Sequence, residues 1–249
     1  MKYLITLICL AIATIGWGQD QDNFDKATTL YQKGDYTQAA AVYSSILKSG
    51  KESSALYYNL GNTYYKLNNV PESIYYYEKA LQLDPENADA KNNLIFANQM
   101  KVDAITPLPK TWVRQLSDGI VGLFSAHTWA VLSIIGVFAF VLSFLLYYFV
   151  ERTALKRTFF SLMLVFLFFA VGSYTLAHFC HKQVSQTQYA ILFDKTVRVF
   201  SEANAYSSEV MQLHEGTKVE IIEDAKDWVK IRLVNGKTGW TKVSSLRKL

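Results

Sequence analysis

The residues best suited by type and spacing to do chemistry are His178, Cys180 and His181. Two His three apart lie on one side of a helix, so the pair permits shared ligation of a metal or haem. No carboxylate and no further Cys stands near them, and they fall at the end of a long apolar run. They are read as an interfacial helix end. His127 and His214 stand alone in sequence, and Asp35, Glu72, Glu78 and Glu86 fall on helix surfaces and turns. Catalysis needs a nucleophile or an acid/base pair held in a pocket. No such set is found, and neither is a glycine-rich phosphate loop or a Cys pair. The expectation is a non-enzymatic protein with no catalytic residues, metal or cofactor.

Two runs without Asp, Glu, Lys or Arg fill the middle of the chain: HTWAVLSIIGVFAFVLSFLLYYFV at 127–150 and TFFSLMLVFLFFAVGSYTLAHFC at 158–180. About 20 apolar residues of helix cross a bilayer core, and a soluble core helix is rarely apolar on all faces for so long. The runs are read as two transmembrane helices joined by ERTALKR, 151–157. Short loops rich in Lys and Arg stay in the cytoplasm. Arg152, Lys156 and Arg157 therefore put that loop inside, and both soluble regions outside, in the periplasm. Residues 1–18 read as a signal peptide, with cleavage expected after Gly18; Cys9 follows no lipobox, so no lipid anchor is expected. An uncleaved signal anchor gives the same downstream topology.

The chain has 249 residues, a net charge of +4 and two Cys. With Cys9 in the signal, Cys180 has no intramolecular disulfide partner. The modest, spread charge argues against nucleic acid as a partner.

Residues 20–53 and 54–87 repeat one another. In the second copy Tyr57, Leu60, Gly61, Tyr64, Ser73, Tyr77, Ala80 and Pro85 recur at set positions. Gly61 and Ser73 allow two helices to approach, and Tyr57, Leu60, Tyr64, Tyr77 and Leu81 fill the seam. Asp84-Pro85 stops the second helix. In the first copy Ala27, Ala39 and Tyr43 match Gly61, Ser73 and Tyr77. The pattern resembles the tetratricopeptide (TPR) repeat. Residues 88–100 begin a third repeat that gains no second helix, and read as a capping helix. About three stacked units are needed to bury a core, so the array is expected to be marginal alone or to need a partner. The resemblance implies a concave protein-binding face of Phe24, Thr28, Tyr31, Tyr58, Asn62, Tyr65 and Lys66, extended by Asn92 and Phe96. The other reading is that several of these Tyr simply cover the helix pair.

ITPLPK, 105–110, reads as a short stiff linker. In 111–126, Trp112, Val113, Leu116, Ile120, Leu123 and Phe124 recur at helical spacing. That fits a helix lying in the bilayer interface or an extra core helix of the repeats. In 189–249 short alternating strands appear at 217–222 and 228–233, and Asn235-Gly236 signals a two-residue hairpin turn. Val197-Arg198-Val199, Gly216-Thr217-Lys218-Val219, Trp228, Gly236, Gly239 and Trp240 carry a resemblance to the bacterial SH3-like domain, a small barrel. Thr241 departs from the usual Val. The resemblance implies binding of peptidoglycan or protein segments, with Tyr206 and Trp228 as the candidate ligand edge and Trp240 in the core.

The fold class expected is thus a multidomain membrane protein: an all-α TPR helical repeat, two transmembrane helices and a small all-β SH3-like barrel. This order of modules resembles the BatE-like component of bacterial Bat (aerotolerance) operons. The resemblance implies an inner-membrane scaffold whose partners are membrane-anchored von Willebrand factor A-type and TPR proteins. The rival reading is a cell-wall sensor that binds peptidoglycan through the barrel.

Overall fold

The computed structural model describes residues 22–109 and 111–249. The signal peptide read at 1–18, the first residues of the first repeat and Lys110 lie outside that range. The described residues form two compact units, one of residues 22–107 with 188–249 and the other of 108–187.

The first unit begins with five helices: α1 over 22–32, α2 (Tyr36–Lys48), α3 (Ser54–Lys66), α4 (Val70–Leu83) and α5 (Ala88–Gln99). Asp35, Ser53, Asn69 and Asn87 cap the last four, each accepting a backbone N–H from three residues on. Such caps satisfy donors that the first helical turn leaves unpaired. Gly61 is required by packing: a Cβ there would lie 2.5 Å from the Tyr77 ring. Ser73 seals the same crossing by donating to the Gly61 carbonyl at 3.0 Å.

The rest of this unit is a seven-stranded antiparallel sheet: β1 (Gln188–Leu192), β2 (Thr196–Phe200), β3 (Glu209–His214), β4 (Lys218–Ala225), β5 (Trp228–Arg232), β6 (Thr238–Lys242) and β7 (Leu246–Lys248). The strand order is β3-β2-β6-β5-β4-β1-β7. Its core holds Ala190, Leu192, Val197, Val199, Leu213, Val219, Val229, Ile231 and Leu233. Alternation places these side chains on one face.

Two sequence expectations are corrected here. The turn at Asn235-Gly236 is a three-residue loop: Leu233 N–H bonds the Lys237 carbonyl, Gly236 N–H bonds the Leu233 carbonyl, and Gly236 has φ +81°. The glycine supplies the left-handed residue that closes a three-residue hairpin. Trp240 is half-buried while Thr241 is 2% exposed. Strand alternation turns Gly239 and Thr241 inward, and Gly239 has no room for a side chain because Val199 and Phe200 press on it.

The second unit holds α6 (Trp112–Val121), α7 (Ala126–Phe149) and α8 (Thr153–Gln186). α7 and the stretch Thr153–Lys182 are long and apolar enough to cross a membrane. They approach closely where a Cβ on Gly136 would meet Ala170 at 3.0 Å, and Ser133 donates to the Ala170 carbonyl at 3.0 Å. The break between the helices is only 150–152, so Lys156 and Arg157 stand on the first turns of α8. Ala, Leu, Lys and Arg are strong helix formers, which explains the shorter turn. α6 packs with this hairpin: the Val121 carbonyl accepts from Trp129 Nε1 at 3.4 Å and from the Cys180 thiol at 3.7 Å.

Candidate functional site

The internal repeat builds a groove from equivalent positions. In the first repeat the Thr28 hydroxyl meets the Tyr43 hydroxyl at 2.9 Å, and Phe24 packs edge-on to the Tyr43 ring. The second repeat has Asn62, Tyr77 and Tyr58 at the same places. There the Tyr77 hydroxyl donates to Asn62 Oδ1 at 2.6 Å, and the Tyr58 ring lies 6.2 Å from that of Tyr77. Asn93 of α5 completes the set, donating to Asn62 Oδ1 at 2.8 Å and to the Tyr58 hydroxyl at 3.3 Å. These bonds fix the Asn62 amide, whose Nδ2 keeps no partner among the described residues.

A cavity of about 290 Å³ opens here, lined by Tyr31, Tyr58, Asn62, Tyr65, Lys66, Tyr77, Asn93 and Phe96. Burial pushes the Tyr77 and Tyr31 phenols above their ordinary range, so both stay neutral hydrogen-bonding groups. Lys66 is exposed at the groove and has no ion-pair partner among the described residues.

Six of the nine concave residues expected from sequence line the cavity: Tyr31, Tyr58, Asn62, Tyr65, Lys66 and Phe96. Phe24 and Thr28 sit farther along, against Tyr43. Asn92 is exposed and its neighbour Asn93 lines the cavity, because α5 packs through Ala90, Leu94 and Ala97 and one residue turns a side chain by about 100°. Sequence reading missed Asn93 and the hydroxyl of Tyr77. A Tyr in a helix seam needs a partner for its hydroxyl, and that need was the available signal.

The barrel does not hang free of the repeats. His214, which stood alone in sequence, pairs with Asp103: the carboxylate accepts from His214 N–H at 2.7 Å, meets Nδ1 at 2.8 Å and accepts from the Thr217 hydroxyl at 2.7 Å. Burial alone would raise Asp103, but the His214 and Thr217 bonds outweigh it and hold the carboxyl below its usual range. Lys218 donates to Glu78 at 2.7 Å. The Arg247 guanidinium bonds Glu72 and lies over both the Tyr75 and Phe193 rings, 4.3 and 3.9 Å from their centres. Gly216, at φ +82°, lies against Val70 and Ile74. Ile105, expected in a linker, packs on the barrel core.

The expected ligand edge lies elsewhere on the barrel. Tyr206 is fully exposed, and Trp228 packs edge-on to Phe200 at 5.6 Å. Arg198 and Lys230 lie over the Phe200 and Trp240 rings. In the second unit His178 and His181 are exposed while Cys180 is buried with Trp129, so the three do not converge. Among the described residues no group of three or more His, Cys, Asp or Glu is placed to hold a metal ion.

Residues 24–88 match the tetratricopeptide repeat family model, and residues 195–246 match that of the bacterial SH3 domain. No curated protein matches the chain. The chain therefore joins a TPR-like helical region, two long apolar helices and an SH3-like sheet, and its two matched modules are of kinds that mediate interactions.

Proposed function

We propose that this protein is a non-enzymatic, membrane-anchored scaffold that captures a peptide or helix of a neighbouring protein in the TPR groove. The groove carries the reading: aromatic walls, an amide fixed by a hydrogen-bond network and an exposed Lys66 suit a partner segment that is apolar with polar groups. The segments before and after the two spans pack into one unit, which supports a two-pass topology with both modules on one side of the bilayer. The basic residues Arg152, Lys156 and Arg157 favour the periplasmic side for the modules. The resemblance to Bat operon components points to von Willebrand factor A-type and TPR membrane proteins as partners. Crosslinking in cells and mass spectrometry test this. Replacing Tyr58, Asn62 and Tyr65 with Ala should abolish capture, and so should Lys66→Glu with Phe96→Ala, which alters exposed side chains. Unchanged capture in both removes the groove from the account.

A second reading is favoured by aromatics of the barrel that stay accessible, Tyr206 fully and Trp228 and Trp240 in part. Tyr206 and the accessible parts of Trp228 and Trp240, with Lys230 over the Trp240 ring, offer aromatic surface and positive charge to a peptidoglycan strand. Full-length protein in detergent that sediments with isolated wall material, and fails to do so after Tyr206→Ala and Trp228→Ala, would support it. Equal sedimentation of the variant would remove that edge.

A further inference from the structure

α5 opens a third repeat, but residues 101–109 form no second helix. The barrel takes that place. Ile191, fully buried, packs with Phe193 and Leu249 into one cluster with Ile74, Tyr77, Leu94 and Ala97 of the helices. The same cluster includes Tyr58 and Tyr65. Tyr58, Tyr65 and Tyr77 also line the groove, so the groove lining and the cluster that receives the barrel share three side chains.

We infer that the barrel is a positioning element for the groove. Ile191, Phe193 and Arg247 do not line it, yet they hold α4 and α5 where Tyr77, Asn62 and Asn93 can bond. Barrel docking and groove occupancy are then coupled, and the coupling is reciprocal: a segment seated in the groove tightens the docking. Only this last step rests on the groove being a binding site. Arg247 is the key of the contact because its guanidinium pairs with Glu72 Oε1 while Glu72 Oε2 is buried with no hydrogen-bond partner among the described residues. Without the guanidinium, Glu72 would be a largely buried carboxylate with no opposite charge beside it among the described residues, a state that favours opening and hydration.

Hydrogen exchange on the full chain in detergent tests this without a known ligand. In Arg247→Glu the amides of α5 and of the second half of α4 should exchange about tenfold faster or more, with β2 and β5 unchanged. Unchanged α5 exchange, while 188–193 and 214–218 exchange faster, would overturn the inference. If Arg247→Glu unfolds throughout, Lys218→Glu decides: it should speed α5, and adding Glu78→Lys should restore protection. Faster α5 exchange that the swap fails to restore would count against the inference. Failure of the groove reading is seen separately, as capture that survives Lys66→Glu with Phe96→Ala while the exchange result stands.

Discussion

The surface of the SH3-like sheet that is turned away from its core carries two separate sets of aromatic and basic residues, a docked face and an open face, and they are used differently. On the docked face His214, Lys218 and Arg247 each meet an acid from the helical side: Asp103, Glu78 and Glu72. On the other face Arg198 and Lys230 lie over aromatic rings, and neither has an acid partner among the described residues. The residues Gly216-Thr217-Lys218, which carry part of the family resemblance, are all engaged outside the sheet: Gly216 and Lys218 by α4, and Thr217 by Asp103 in the segment after α5. One face is committed within the chain and the other is open. The two modules are therefore parts of one unit, not independent binders on a tether.

The largest effect should come from the docked face. Ile191→Ala removes a fully buried side chain and should cost about 2–5 kcal/mol in denaturant unfolding of the full chain in detergent. Gly216→Ala should cost about 1–3 kcal/mol, since φ is +82° and the new Cβ would lie 3.1–3.3 Å from Val70, Ile74 and Lys101. Acid should loosen the same face. The Asp103 carboxyl is depressed in the folded protein, so its contribution is full above the unfolded value of about 4 and is lost as pH falls through the folded value. Exchange of 101–105 and 214–218 should quicken below about pH 4; quickening only as pH rises would contradict the assignment. The smallest effect belongs to the open face. Tyr206→Ala should change stability by less than about 0.5 kcal/mol, and a larger loss would show that this face is also engaged.

Much of this architecture was legible in the sequence. The repeat showed through Gly61, Ser73 and Asp84-Pro85, the two long apolar helices through length and absence of charge, and the sheet through the alternation of Val229, Ile231 and Leu233. Most of the groove followed because Tyr31, Tyr58, Asn62 and Tyr65 fall on the concave positions that the TPR resemblance implies. Asn93 did not, because α5 lacks a second helix to pack against and takes its register from the cluster around Ala90 and Ala97. The docked face was not legible at all. Glu72 and Arg247 are 175 positions apart, and no local pattern announces which acid a distant base will meet. The same gap made His214 look solitary and Ile105 look like linker.

The most direct test of the joined unit is zero-length carbodiimide coupling of carboxylates to amines in full-length protein held in membranes. Lys218 and Glu78 are 2.7 Å apart across the contact, and Lys248 and Asp224 are 2.7 Å apart within the sheet and serve as the internal control. The account predicts that peptide mapping finds both crosslinks. Recovery of Lys248–Asp224 without Lys218–Glu78 would contradict it and return the two modules to independent action.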